Sequence, residues 1–285
     1  MTPSLPRSPR RNPSASLALG VALVLLLVAM AALALFWTPF PPAAIDVPHR
    51  LQFPSRTHWM GTDALGRDIL SRLMAGAGVS IKVGVIAVGI GAFFGIMLGL
   101  LAASVKGRLE DIIMQLSDFT FAFPALLTTI MLTETFGPGI DNAILAIGIY
   151  NVPVFAKLTR ALANNVLARE FIQSARVSGR GPVGIACHHI VPNILAALIV
   201  QATIQFSIAV LAEAALSYLG FGTQPPEASW GLMLSEAQNF LFVAPRLAVF
   251  PGVAIALSVL GLNLLGDGLR DALDPRLRKM GYDGP

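Results

Sequence analysis

One cysteine, Cys187, is all the thiol chemistry in this chain of 285 residues. No internal disulfide can form, and without a CxxC or a Cys/His set Cys187 says nothing about a structural metal; it reads as a small apolar side chain in a helix. Charge is scarce too. Only 13% of residues are charged and 55% are hydrophobic, against roughly 25% charged in a soluble domain, so the apolar excess needs lipid as a solvent. None of the four lysines, Lys82, Lys106, Lys157 and Lys279, follows a glycine, which excludes a GxxxxGK[ST] phosphate loop, and the chain holds neither HExxH nor GxSxG. No catalytic residue is assigned, and any ATP must be hydrolysed elsewhere. The net charge of +4 does not indicate nucleic acid, because the basic residues form no stripe interleaved with aromatics. His188 and His189 point about 100° apart on a helix and have no third ligand near them in sequence, so no metal is expected.

What is present is a series of long apolar runs, at about 17–37, 83–105, 112–133, 141–160, 193–216 and 245–266. Each is long enough to cross a bilayer, and only helices satisfy their own backbone in lipid. The first run has 21 residues without a charge, more than the roughly 7–15 of a cleavable signal core, and reads as an uncleaved span. The expected fold is an all-α membrane protein with six transmembrane helices. With the N-terminus inside, 14 Lys and Arg lie inside and 6 outside, so both termini are expected in the cytoplasm of a cell whose plasma membrane holds the chain. The expected organisation is a tail at 1–16, a first span at 17–37, an external segment at 38–78, a core of five helices at 79–266 with an internal loop at about 161–192, and a tail at 267–285.

Small residues recur at every fourth position of the second run, Ala87, Gly91, Gly95, Gly99 and Ala103, which prepares one face for close approach of another helix. Pro124, Pro153 and Pro251 each remove a backbone donor and permit a kink. In the external segment, polar Arg67, Asp68, Ser71 and Arg72 alternate in pairs with Ile69, Leu70, Leu73 and Met74. That period predicts a short amphipathic helix on the outer membrane surface, capped by Asp63, with Asp63/Arg67 and Asp68/Arg72 spaced as i,i+4 pairs. Asp118 and Glu213 fall inside predicted spans, where a carboxylate either lines a path or gate or makes a packing hydrogen bond. As ion carriers they would suit a gradient-driven transporter, but no inverted repeat accompanies them.

The longest internal loop, Arg169 to Asn193, reads as helix, break, helix. Ala163 to Val177 is helix-compatible, Gly179 and Gly181 supply the stop, and Pro182 suits the first turn of the next helix. Periodicity alone leaves a basic, lipid-apposed loop open as well. A compact hairpin between two spans would carry rigid-body motion, as a docking element for a motor must.

Residue identity adds to this. Gln173, Ser174 and Ala175, then Gly179 six residues after the first and Pro192 nineteen after it, resemble the EAA loop of ABC importer permeases; Gln173 and Ser174 depart from the commonest Glu and Ala. Gly61 to Asp68, His189 to Asn193, Glu213 to Gly220, Gln224 to Pro226 with Ser229 to Gly231, and Asn263 to Arg276 further resemble the C-type permease subunit of the dipeptide and oligopeptide family. The resemblance implies a cytoplasmic helix-turn-helix coupling loop, in which Gln173, Ser174, Ala175, Ser178, Gly179, Arg180, His189 and Pro192 sit in a groove of an ATPase subunit. It also implies a B-type permease partner, two ATPase subunits that use ATP and Mg, an external solute-binding protein, and no cofactor bound by this chain. The cargo it implies is a dipeptide or oligopeptide, with nickel or glutathione as alternatives.

Overall fold

The computed structural model describes residues 13–122 and 125–273, and among them there are helices and no strand. In chain order the helices are α1 (Pro13–Phe36), α2 (Ile69–Val105), α3 (Arg108–Ala122), α4 (Ala125–Phe136), α5 (Ile140–Leu167), α6 (Glu170–Val177), α7 (Pro182–Ile185), α8 (Val191–Tyr218), α9 (Trp230–Ala237) and α10 (Arg246–Leu273). A π-helical turn, Ala186–Ile190, joins α7 to α8. Five helices are long and apolar enough to cross a membrane, with Pro182–Tyr218 counted as one. The sixth expected span is α3 together with α4, whose axes differ by 87°, so the run expected as one span over 112–133 is a bent pair. Pro124 lies outside the described residues, as do Arg7, Arg10, Arg11, Arg276, Arg278 and Lys279.

Two apolar cores organise the bundle. In one, α2, α5 and α8 meet around Val83, Ala87, Phe155, Ala163, Leu198 and Ala209. The glycine face of α2 receives α5: a Cβ at Gly91 would lie 2.2 Å from Asn151 Cβ, and one at Gly95 would lie 2.5 Å from both Phe155 Cβ and Val152 O. At Gly99 it would lie 2.5 Å from Ala156 O. With no side chain at these positions the two backbones come together along the whole stripe. The other core joins α1, the start of α2, α9 and α10 around Leu27, Leu73, Trp230 and Leu247.

Two expected boundaries are corrected. No separate surface helix precedes α2; the amphipathic residues form its first turns, and the helix runs unbroken through Ile69–Val105. Asp68, not Asp63, caps it, accepting from Ser71 N at 2.8 Å. The polar side of these turns is covered by protein, with Asp63, Arg67, Asp68 and Arg72 all buried. Likewise Ala163 to Val177 is not one helix, because the chain turns at Ala168 and Arg169, with Arg169 in extended conformation ahead of α6. The turn lets Val166 before it and Ile172 after it enter the same core.

Candidate functional site

At the bundle end carrying α6 and α7, the loop between α5 and α8 is a fastened elbow. Ile172, Ile185 and Ile190 are buried in the main core, so three apolar anchors hold it from inside. Gln173, Ser174, Ser178, Gly179, Arg180 and Pro192 are exposed, and Ala175 and His189 are partly so. Gly179 has φ +81°, which glycine adopts without the Cβ clash of other residues. Its N–H donates to Arg176 O at 3.0 Å and the next N–H, from Arg180, to Ala175 O at 3.1 Å, the paired bonds that end a helix in a Schellman turn. Pro182 then opens α7, where its missing N–H costs no helical bond.

Val177 and Val183 flank this turn at 90% and 75% exposure. Sequence patterning missed them, since the helix period alone does not tell an outward valine from an inward isoleucine. His189 faces the Phe171 ring, with centroids 6.1 Å apart, and its carbonyl accepts from Asn193 Nδ2 at 2.7 Å. His188 instead turns its Nδ1 to Gly184 O at 3.1 Å, so the two histidines do not converge. Pro192 follows the π turn, which closes through Val191 N donating to Ala186 O.

The two intramembrane carboxylates differ sharply in setting. Glu213 is buried in α8, where Oε1 accepts from Ser217 Oγ at 2.6 Å and Thr223 Oγ1 at 3.2 Å. It ties the 219–229 connection to α8 and has no open face. Asp118, on α3, is ion-paired with Lys157 of α5, and Glu110 is paired with Arg160 at 2.5 Å in the same crease. Lys157 and Arg160 lie within the 28 residues of α5.

The opposite end of the bundle, with residues 38–68 and α9, holds a charge cluster that was only partly foreseen. Arg67 Nε donates to Asp63 at 2.6 Å, as its spacing suggested. Arg72, expected to pair with Asp68, instead donates to Asp63 at 2.5 Å and Glu236 at 2.7 Å. Asp68 takes His58 at 2.9 Å. Arg67 also reaches Glu236 at 2.8 Å, so the α9 carboxylate bridges two guanidiniums. Trp230 Nε1 donates to Leu73 O at 3.0 Å and fastens α9 to α2. Glu236 has a side chain 30% exposed, so solvent screens it in part, and Glu236→Gln should lower stability by about 1 kcal/mol. Thermal unfolding of the detergent-solubilised protein should show a midpoint lowered by about 2–4 °C; an unchanged midpoint would mean the bridge does not hold α9.

A sequence profile described as "Binding-protein-dependent transport system inner membrane component" matches residues 95–279. The chain is 42% identical over 259 residues to a dipeptide transport system permease protein of Alkalihalophilus pseudofirmus, covering 91% of this chain and 85% of that one. It is 40% identical over 256 residues to a glutathione transport system permease protein of Pectobacterium atrosepticum, with 90% and 85% covered. Similarity to a di/tripeptide transport system permease protein of Pseudomonas aeruginosa is 41% over 268 residues, with 92% and 88% covered. Among solved structures, an inward-facing methionine ABC transporter has a chain similar in fold at a TM-score of 0.59 and 16% identity, covering 71% of this chain and 96% of that chain.

Proposed function

The chain belongs to the family of binding-protein-dependent transport system inner membrane components, the permeases of ABC importers, and is a multi-pass inner-membrane protein of its dipeptide and glutathione branch; from that premise we propose that it moves short peptides inward when separate ATPase chains grip the elbow formed by α6 and α7. Both termini and the elbow face the cytoplasm, in keeping with the excess of Lys and Arg on that side. A homologous permease forms the other half of the passage, two ATPase subunits use ATP and Mg at the inner face, and an external solute-binding protein delivers cargo. Dipeptide, di/tripeptide and glutathione in the names of the similar proteins favour a short peptide or a peptide-like thiol as cargo.

One observation carries this proposal. The elbow is anchored inside by Ile172, Ile185 and Ile190 while it presents Val177, Val183 and the exposed polar residues between them. Force applied to such a segment goes into α5 and α8, whereas a slack loop would absorb it. The geometry suits a groove on a partner that takes two apolar side chains with polar ones at the rim.

Cysteine cross-linking tests the proposal in the assembled transporter. With Cys187→Ser as background, a Ser174→Cys variant should cross-link through a short bifunctional thiol reagent to an ATPase subunit carrying a cysteine in its groove. Labelling with an impermeant reagent should reach Ser174→Cys from the cytoplasmic side alone. Labelling from the outer side would remove any ATPase from reach of the elbow.

A further inference from the structure

Helix α3 has three unlike sides. Ile113 and Ser117 are buried against the bundle. Leu109, Ile112, Leu116 and Phe119 are exposed and apolar, a side suited to lipid. Asp111, Gln115 and Asp118 are exposed and polar, at intervals of four and three residues, so they share one face. Leu116 is two residues from Asp118 and thus about 200° around the helix, at nearly the same depth. At one level of the bundle, then, α3 offers hydrocarbon on one side and charge on the other. Position beyond the bilayer cannot explain this, because the lipid-suited side would be equally misplaced.

The polar side continues onto α5. Asp118 is 68% exposed and pairs with Lys157, 36% exposed. The Lys157 ammonium lies 4.5 Å from the Phe121 ring centroid, and that ring meets Tyr150 edge-on at 5.6 Å. Asp118 lies ten residues into α3, about 15 Å along its axis. An ion pair open at that depth is costly against acyl chains and stable against water.

We infer that this side of α3, with Tyr150 and Lys157, is a wall of the water-filled passage, and that Lys157 and Asp118 contact a cargo bearing both a free carboxylate and a free ammonium, the former on Lys157 and the latter on Asp118. This rests on the importer reading above and adds to it the site and the chemical class of cargo. An exposed pair exchanges partners at little cost, so the cargo's two charges can replace the pair's mutual contact and leave again, as passage requires.

The test uses the whole transporter in inside-out vesicles with Cys187→Ser as background. A charged, lipid-insoluble thiol reagent should modify Gln115→Cys at least tenfold faster than Leu116→Cys. Dialanine with free termini should slow modification of Gln115→Cys several-fold, N-acetyl-dialanine amide should not, and adding Lys157→Met or Asp118→Asn should abolish the protection. Equal rates at 115 and 116 would overturn the passage wall. Equal protection by both peptides, by neither, or persisting in both charge variants would overturn the cargo contact. ATP-driven uptake of dialanine by the unsubstituted transporter is measured alongside. Its absence would count against the importer reading alone, because the contrast in modification rates does not depend on transport.

Discussion

Replacing Gly95 with leucine should leave almost no folded protein in the membrane. A Cβ there would stand 2.5 Å from Phe155 Cβ and from Val152 O and 3.0 Å from Ala156 N. Two of those three atoms are helix backbone, which cannot swing aside as a long side chain can. Ordinary overpacking costs about 1–3 kcal/mol, and this substitution should exceed it because α5 as a whole would have to lift from α2. Detergent-extracted, monodisperse protein should fall at least tenfold. Gly89→Leu is the control, since Gly89 is exposed on the same helix with no atom within 4 Å of an added Cβ, and its yield should stay near that of the unsubstituted chain. Equal yields from the two variants would mean that the α2 and α5 contact does not hold the bundle together.

That glycine stripe was fully legible, because a fourfold spacing of small residues is a local pattern with one packing outcome. So was the Gly179 turn, where residue type and backbone conformation are tied directly. Long-range pairing was not. Arg72 finds Glu236, 164 residues away, and this pairing, with those to Asp63, lets polar turns begin a buried helix and not lie on a surface. The turn at Ala168 carries no glycine or proline, and it arises because Val166 and Ile172 share a core that no window of sequence contains. The apolar run at 141–160 placed Lys157 near the end of a span, but did not show that α5 continues for ten more residues beyond it or that Asp118 on another helix supplies its counter-charge. Glu213 could be read as lining a path or as packing. Its enclosure with Ser217 and Thr223 could not be inferred, since Thr223 lies in the connection beyond α8.

The central claim is that the elbow passes a motor's movement into the bundle, and Gly179 is its most sensitive point. An added Cβ there meets no atom within 4 Å, so a new side chain projects outward into whatever docks. Its φ of +81° makes any other residue cost about 1–2 kcal/mol, too little to unfold a protein held by two cores. Gly179→Ala isolates that backbone cost, while Gly179→Glu adds length and charge at the surface offered between Val177 and Val183. The deciding measurement is substrate-stimulated ATP hydrolysis by the reconstituted transporter carrying Gly179→Glu, at matched amounts of permease in the membrane. Stimulation should drop at least tenfold, to the substrate-free rate, with Gly179→Ala retaining most of it; full stimulation in Gly179→Glu would mean that the force enters the bundle somewhere else.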